Sequence, residues 1–349
     1  LSRIPVPHFS METSMTRSPL SVFAFALAGS ALIALSGCAA TGSTDTGTSP
    51  KPAASSTAAA AVTVDNCGTP VTFDAAPKRV VTIKSTSTEM LLALGLGDRI
   101  VGTAFQDGPV PASLADAASG LTVLSDKLPS QEVVLEKEPD LVYAGWESNF
   151  SAEGAGERPS LEALGVHTYV SPAACKEEGY KPTSLSFTQI FDEISEVASI
   201  FRTDATPLLA AEQKTLDGIT KSTAGLTALW YSSGDATPYI GAGSGAPQLL
   251  LDTIGLTNIA ADVKDTWASY SWEAIVEANP DVIVLVDAAW NTAAQKKEML
   301  AANPATARLD AVINQRYLTI PFAASEAGVR SADAAADLAT QLAALNLGD

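Results

Sequence analysis

The strongest constraint on this chain is that it repeats itself. Ser130-Gln-Glu-Val-Val-Leu-Glu-Lys-Glu-Pro-Asp140, followed by the apolar run Leu141–Ala144, returns 141 residues later. The second copy is Ser271-Trp-Glu-Ala-Ile-Val-Glu-Ala-Asn-Pro-Asp281, followed by Val282–Val286. Each copy predicts a Ser-capped helix, a Pro-Asp turn and a buried strand. A second echo lies upstream, Met90–Ile100 against Leu249–Ile259, each predicting a helix closed at Gly95 or Gly255. Around these units strand and helix patterns alternate in both halves, which argues for α/β architecture with parallel strands and helical crossovers. First-half strands are expected near Val80–Ile83, Ile100–Thr103, Leu141–Ala144 and Thr168–Val170. Second-half strands are expected near Ala228–Ser232, Tyr239–Ile240, Val282–Val286 and Tyr317–Ile320. Between the halves, Phe187–Phe201 and Pro207–Thr223 have helical apolar spacing, the latter long enough to brace two lobes. The expected fold is two similar Rossmann-like lobes with parallel-strand sheets, joined by a long bracing helix. Their strand C-termini would face each other across a ligand cleft.

The beginning of the chain reads as an address. Ser18–Gly37 carries no charge, and Leu20–Leu35 fits the apolar region of a signal peptide. It ends in Leu35-Ser36-Gly37-Cys38, which resembles a bacterial lipobox with Cys38 as the lipidated residue. Ala39–Ala61 is rich in Ala, Thr, Ser and Gly, too poor in apolar bulk to offset its ordering entropy. The expected organisation is a signal peptide (1–37), a tether (38–61), an N-terminal lobe (62–182), an interlobe helical linker (183–224) and a C-terminal lobe (225–349). This places the protein on the outer face of the cell membrane, attached through its lipid anchor only.

Composition excludes several alternatives. A net charge of −18 over 349 residues offers no basic face for nucleic acid. Two His and three Cys without CxxC spacing give no metal cluster. No Gly-x-Ser-x-Gly elbow is present, and His167, the one His in the body, lies among strand formers, so no catalytic residue is assigned. Gly241–Ala246 formally fits a dinucleotide fingerprint, but the strand before it is short, so no cofactor is assigned.

Val71–Val80, Thr88–Gly102, Glu132–Asp140 and Glu273–Asp281 resemble the helix-braced substrate-binding proteins of ABC importers. Those carry ferric siderophores, haem or cobalamin. Lys84–Thr88, Ser125–Gln131, Ala144–Asn149 and Val286–Trp290 are similar to an actinobacterial branch proposed to bind a deazaflavin coenzyme precursor. The resemblance implies a monomer with three kinds of partner: a small-molecule ligand, a permease and its ATPase. It also implies that Glu132 and Glu273, one per lobe, dock onto the permease. The same two residues compensate helix dipoles, a contribution of about 0.3–1 kcal/mol each. A surface sensor or scavenger without a permease is the competing class, and an extracytoplasmic enzyme a third.

Ligand contacts are expected at the strand ends. Lys84, Ser85, Thr86, Ser87 and Thr88 open a helix with hydroxyls, free N–H groups and an ammonium, a seat for phosphate or carboxylate. Trp146 and Trp290 leave equivalent strands and are placed to sandwich a flat ring, with Glu147 beside the first. Phe105, Gln106 and Asp107 follow another strand and could meet a ring edge. Tyr180, Phe322 and Arg330 are looser candidates, Arg330 being equally able to pair with Asp333. Cys67 and Cys175, the thiols left after lipidation, are expected to form a disulfide outside the cytoplasm.

Overall fold

A computed structural model of the chain describes residues 60–347. The expected signal peptide, Cys38 and all but the last two residues of the tether lie outside the described residues. The described part opens with an antiparallel hairpin, β1 (Val62–Asn66) and β2 (Thr69–Phe73). The first lobe then runs β3 (Val80–Ile83), α1 (Ser85–Ala93), β4 (Ile100–Ala104), β5 (Val123–Ser125), α2 (Gln131–Leu135), β6 (Leu141–Ala144), α3 (Arg158–Ala163) and β7 (His167–Val170). Its five strands are all parallel, in the order β5-β4-β3-β6-β7. Strands β3 and β6 are buried along their whole length, which is why they read as unbroken apolar runs.

Two helices follow, α4 (Phe187–Phe201) and α5 (Thr206–Asp217). The second lobe comprises β8 (Thr227–Ser233), β9 (Tyr239–Gly241), α6 (Ala246–Ile254), β10 (Thr257–Asn258), β11 (Trp267–Ser269), α7 (Trp272–Ala278), β12 (Val282–Asp287), α8 (Ala293–Ala302), α9 (Asp310–Ile313), β13 (Tyr317–Pro321) and α10 (Ser331–Ala344). Its sheet has the order β11-β9-β8-β12-β13, with β10 on the first residues of β8. This sheet is mixed rather than parallel, because β9 runs antiparallel to both β8 and β11. The short Gly234–Pro238 link, with Gly234 at φ 87°, can only make a hairpin; a parallel crossover needs a dozen residues or more.

The repeated units do the same work in each lobe. Ser130 Oγ accepts from the Val133 N–H at 3.4 Å, and Ser271 Oγ from Ala274 N–H at 3.0 Å, capping α2 and α7. The aspartate that closes each unit then ties down the first strand of its own lobe. Asp140 accepts from the Lys78 and Arg79 N–H groups just before β3, at 2.8 and 2.9 Å. Asp281 accepts from Thr227 N–H and Oγ1 at the start of β8, at 2.8 and 2.9 Å.

The bracing element is a pair of helices rather than one long one. A Ser186–Gln189 capping box starts α4, whose Ile190, Ile194, Val197 and Phe201 enter the first lobe's core. Arg202 breaks the run in the left-handed region at φ 56°. Leu208 and Leu209 of α5 still touch the first core, while α5 packs on α10 of the second lobe. It ends at Asp217, short of the expected Thr223, since Ser222 N–H turns to bond Ile254 C=O. Cys67, in the β1–β2 turn, is bonded to Cys175 after β7 as a buried disulfide with Cα atoms 5.3 Å apart.

Candidate functional site

Where β3 ends, Lys84 takes a backbone conformation, φ 81° and ψ 156°, that is essentially reserved for glycine. Its side chain is buried, and the ammonium is paired with Asp107, which follows β4. Three rings surround that ammonium, with centroids 3.6 Å (Trp146), 4.4 Å (Phe105) and 5.4 Å (Phe322) away. Phe105 is itself held at φ 52°. The strand ends of the first lobe therefore carry two strained residues, which persist because the ion pair and the rings over-determine them.

Trp146, Arg330 and Lys181 make polar contacts that cross from lobe to lobe. Trp146 Nε1 donates to Glu326 Oε2 at 3.3 Å. Arg330, at the start of α10, donates to both carboxylate oxygens of Glu89 on α1 at 2.5 Å each, and to Pro109 C=O at 2.7 Å. Lys181 and Asp265 form an exposed ion pair at 3.3 Å. Burial pushes Glu326 up to about 7, aided by the Asp107 charge and opposed by Lys84 and the Trp146 bond. Glu89 is raised by burial too, against the pull of Arg330. A space of about 20 Å³ lies between the lobes, room for about one water, and Thr86, Gly145, Ser171, Ser244, Gly245 and Glu326 help line it. A much larger groove of about 1000 Å³ lies against the C-terminal half of α10, away from the strand ends.

The structure sorts the expected ligand residues. Lys84, Phe105, Asp107, Trp146 and Phe322 come together at the seam, and Arg330 joins it through Glu89 rather than Asp333. The expected open seat at Lys84–Thr88 already holds a carboxylate. Asp107 accepts from Ser85 N–H at 3.3 Å as well as from Lys84, and Ser85 Oγ accepts from Asp107 N–H. Ser87 and Thr88 turn inward, bonding the Ile83 and Lys84 carbonyls and the Thr82 and Thr103 hydroxyls. Of these hydroxyls, only that of Thr86 is without a partner.

Trp146 lies over the Lys84 ammonium and meets Phe105 edge-on at 5.9 Å. Trp290 is 61% exposed and meets Phe322 edge-on at 6.0 Å. Gln106 Nε2 bonds its own chain at Ala104 C=O. Glu147 accepts from Lys176 N–H, tying the turn after β6 to the disulfide loop. Tyr180 lies against the hairpin, its hydroxyl donating to Asp65 at 2.6 Å. Glu132 and Glu273 are both exposed, in the first turns of α2 and α7.

Three residues escaped the sequence reading. Glu326 is the only acidic residue between Asp310 and Asp333, and that isolation was its one signal. Glu89 is hidden inside an apolar helix. Lys296 on α8 is buried, donates to Val286 and Asn291 C=O at 2.6 Å each, and is pulled down to about 8 by burial. It clamps the turn that carries Trp290.

Two α/β lobes, braced by helices and meeting at their strand ends, define the class of two-lobed binding proteins. Residues 80–324 match the periplasmic binding protein family model, and the chain belongs to that family. It is 26% identical over 255 residues to an uncharacterized ABC transporter substrate-binding lipoprotein of Bacillus subtilis, covering 68% of this chain and 73% of that one. A cobalamin-binding protein of Halobacterium salinarum is 27% identical over 230 residues, 63% of this chain and 57% of that one. A crystal structure of a periplasmic binding protein from Veillonella parvula superimposes with a TM-score of 0.72 at 27% identity, covering 81% of this chain and 97% of that one. The chain is thus a substrate-binding protein of the kind that serves ABC transporters. Proteins of this class bind small ligands outside the cytoplasm and work with a permease and an ATPase. No helix among the described residues is long and apolar enough to cross a membrane.

Proposed function

We propose that this protein is a lipid-anchored, non-enzymatic carrier that takes a bulky cofactor- or chelate-type ligand between its lobes and delivers it to a permease. Cys38 holds it to the outer face of the membrane once residues 1–37 are removed, and residues 38–61 form the leash. It acts as a monomer, with lobes at 62–182 and 225–349 and the linker 183–224 limiting their movement. A deazaflavin coenzyme precursor is the favoured ligand, with a ferric siderophore or cobalamin next. The observation that carries the reading is the seam itself: aromatic rings and charged groups from both lobes, gathered at opposed strand ends. A ligand would separate the lobes and replace their mutual contacts, engaging Trp146, Phe105 and Phe322, with Trp290 at the rim.

A binding screen tests this. The purified protein is titrated with a deazaflavin precursor, ferric siderophores, haem and cobalamin, following tryptophan fluorescence and melting temperature, with native mass spectrometry for cargo retained from the cell. Saturable binding of the deazaflavin alone supports the narrow reading. Tight binding of an iron chelate or corrinoid replaces it but keeps the carrier. If Trp146→Ala leaves the affinity of the bound cargo unchanged, the cleft is not the site.

A further inference from the structure

The seam between the lobes is rich in hydrogen-bond donors. Helix α1 opens onto it from the first lobe and α6 from the second, for Thr86 and Ser244–Ala246 line the same space. Both helices are nine residues long, and each brings the positive end of its dipole and first-turn N–H groups to that space. Thr86 Oγ1 is buried to nine-tenths and has no hydrogen-bond partner. Gly145 faces it at a point where a Cβ would lie 2.3 Å from that oxygen, so the backbone must stay bare there. The Lys84 ammonium and the Trp146 indole N–H complete the set.

Acceptors are scarcer. Asp107 is already engaged by Lys84 and by Ser85 N–H. That leaves Glu326, held by the single 3.3 Å bond from Trp146 and raised by burial to about 7. A buried donor left unpaired costs about 1–3 kcal/mol, and opposed helix N-termini satisfy that need with an anion.

We propose that the ligand taken between the lobes carries an oxyanion, a carboxylate or a phosphate, which seats on Thr86 between the N-termini of α1 and α6. The Glu326 carboxyl lines the same space and is the group that meets the incoming anion there. The inference rests on the reading of the cleft as the ligand site. Glu326 is faced by Lys84 and Asp107 from the first lobe and by Tyr239 at the start of β9. An ionised Glu326 repels the incoming anion, while a protonated one does not.

Sulfate is the probe, since its charge is constant around neutrality, titrated into the full chain by calorimetry. In the unaltered protein its affinity falls about tenfold between about pH 6 and about pH 8 as Glu326 ionises. Glu326→Gln removes that slope and binds at the higher pH as tightly as the unaltered protein does at the lower. Thr86→Val loses about tenfold at unchanged melting temperature. Competition by methyl phosphate against acetate separates the two oxyanions. The proposal is overturned if Glu326→Gln fails to tighten sulfate binding, if sulfate does not bind, or if tetramethylammonium binds in its place. A cargo that needs Trp146 but is not displaced by sulfate overturns the oxyanion while leaving the carrier reading in place.

Discussion

The two lobes are built on one plan and finish it differently at the seam. In the first, the strand ends carry charge fixed by geometry: Lys84 in a glycine's conformation, paired with Asp107 and covered by Trp146 and Phe105. In the second, they carry Phe322 and an exposed Trp290. The acid it turns toward Trp146 is Glu326, which burial lifts to about 7. The all-parallel first sheet is also locked by a disulfide, while the mixed second sheet has no Cys among its described residues. On the proposed reading of the cleft, the first lobe would supply the rigid floor of the site and the second lobe the part that adapts.

The disulfide tests that division most severely. It closes a separation of 108 residues, for which the chain-entropy model gives about 4–5 kcal/mol. The double variant Cys67→Ser, Cys175→Ser is expected to split thermal unfolding into two transitions, with hydrogen exchange assigning the earlier one to the first lobe. A single transition shifted as a whole would mean that the lobes unfold together and that rigidity is shared.

Arg330 probes the join. It reaches from α10 into the first lobe to meet Glu89, which is only 1% exposed. Arg330→Met strands that carboxylate, and breaking a buried pair from one side costs about 3–5 kcal/mol. The expected outcome is loss of stability with wider lobe separation by small-angle scattering, and recovery when Glu89→Gln is added. No recovery would show that Arg330 acts through Pro109 C=O instead.

A smaller effect separates the first lobe's core from the seam by pH. Glu193 on α4 accepts from the Tyr143 hydroxyl at 2.8 Å, and burial lifts it from 4.5 to about 7, as it does Glu326. Both carboxyls hold a proton more tightly folded than unfolded. Stability contributed by protonation is therefore full below about 4.5 and declines as pH rises to about 7. For Glu193 the change is at most about 3 kcal/mol. Denaturation across that range should show the slope, and Glu193→Gln should flatten the first lobe's share of it. An unchanged slope would move the titration to the seam.

The repeat made most of this architecture readable, because helix caps, Pro-Asp turns and buried strands are local and periodic. The short strands β5, β10 and β11 are not legible, having two or three residues each and little pattern of their own. The helix pair is legible down to the end of α4 at Phe201, but the stop of α5 at Asp217 depends on the Ser222–Ile254 bond, which the sequence does not mark. The site was legible at the level of which loops meet. It was not legible at the level of partners: that Asp107 would fill the α1 seat, or that Glu326 would reach Trp146, depends on how two lobes close. Sequence distance says nothing of that, since Trp146 and Glu326 lie 180 residues apart.

The smallest stability effect carries the sharpest functional contrast. Glu132 and Glu273 occupy matched first turns, exposed in both lobes, where compensating the helix dipole is worth about 0.3–1 kcal/mol. If that were their whole role, Glu132→Ala and Glu273→Ala would each cost a fraction of a kcal/mol and leave transport alone. Docking through both lobes predicts something else. Charge pairs at a rim set orientation and encounter rate, so each single variant slows uptake in cells and the double variant abolishes it. Ligand affinity and melting temperature stay within those small limits, because neither residue lines the space between the lobes. Here the lobes should behave alike, one contact each on the same partner, in contrast to their division of labour at the cleft. Uptake that survives the double variant would leave both glutamates as compensation for helix dipoles and nothing more.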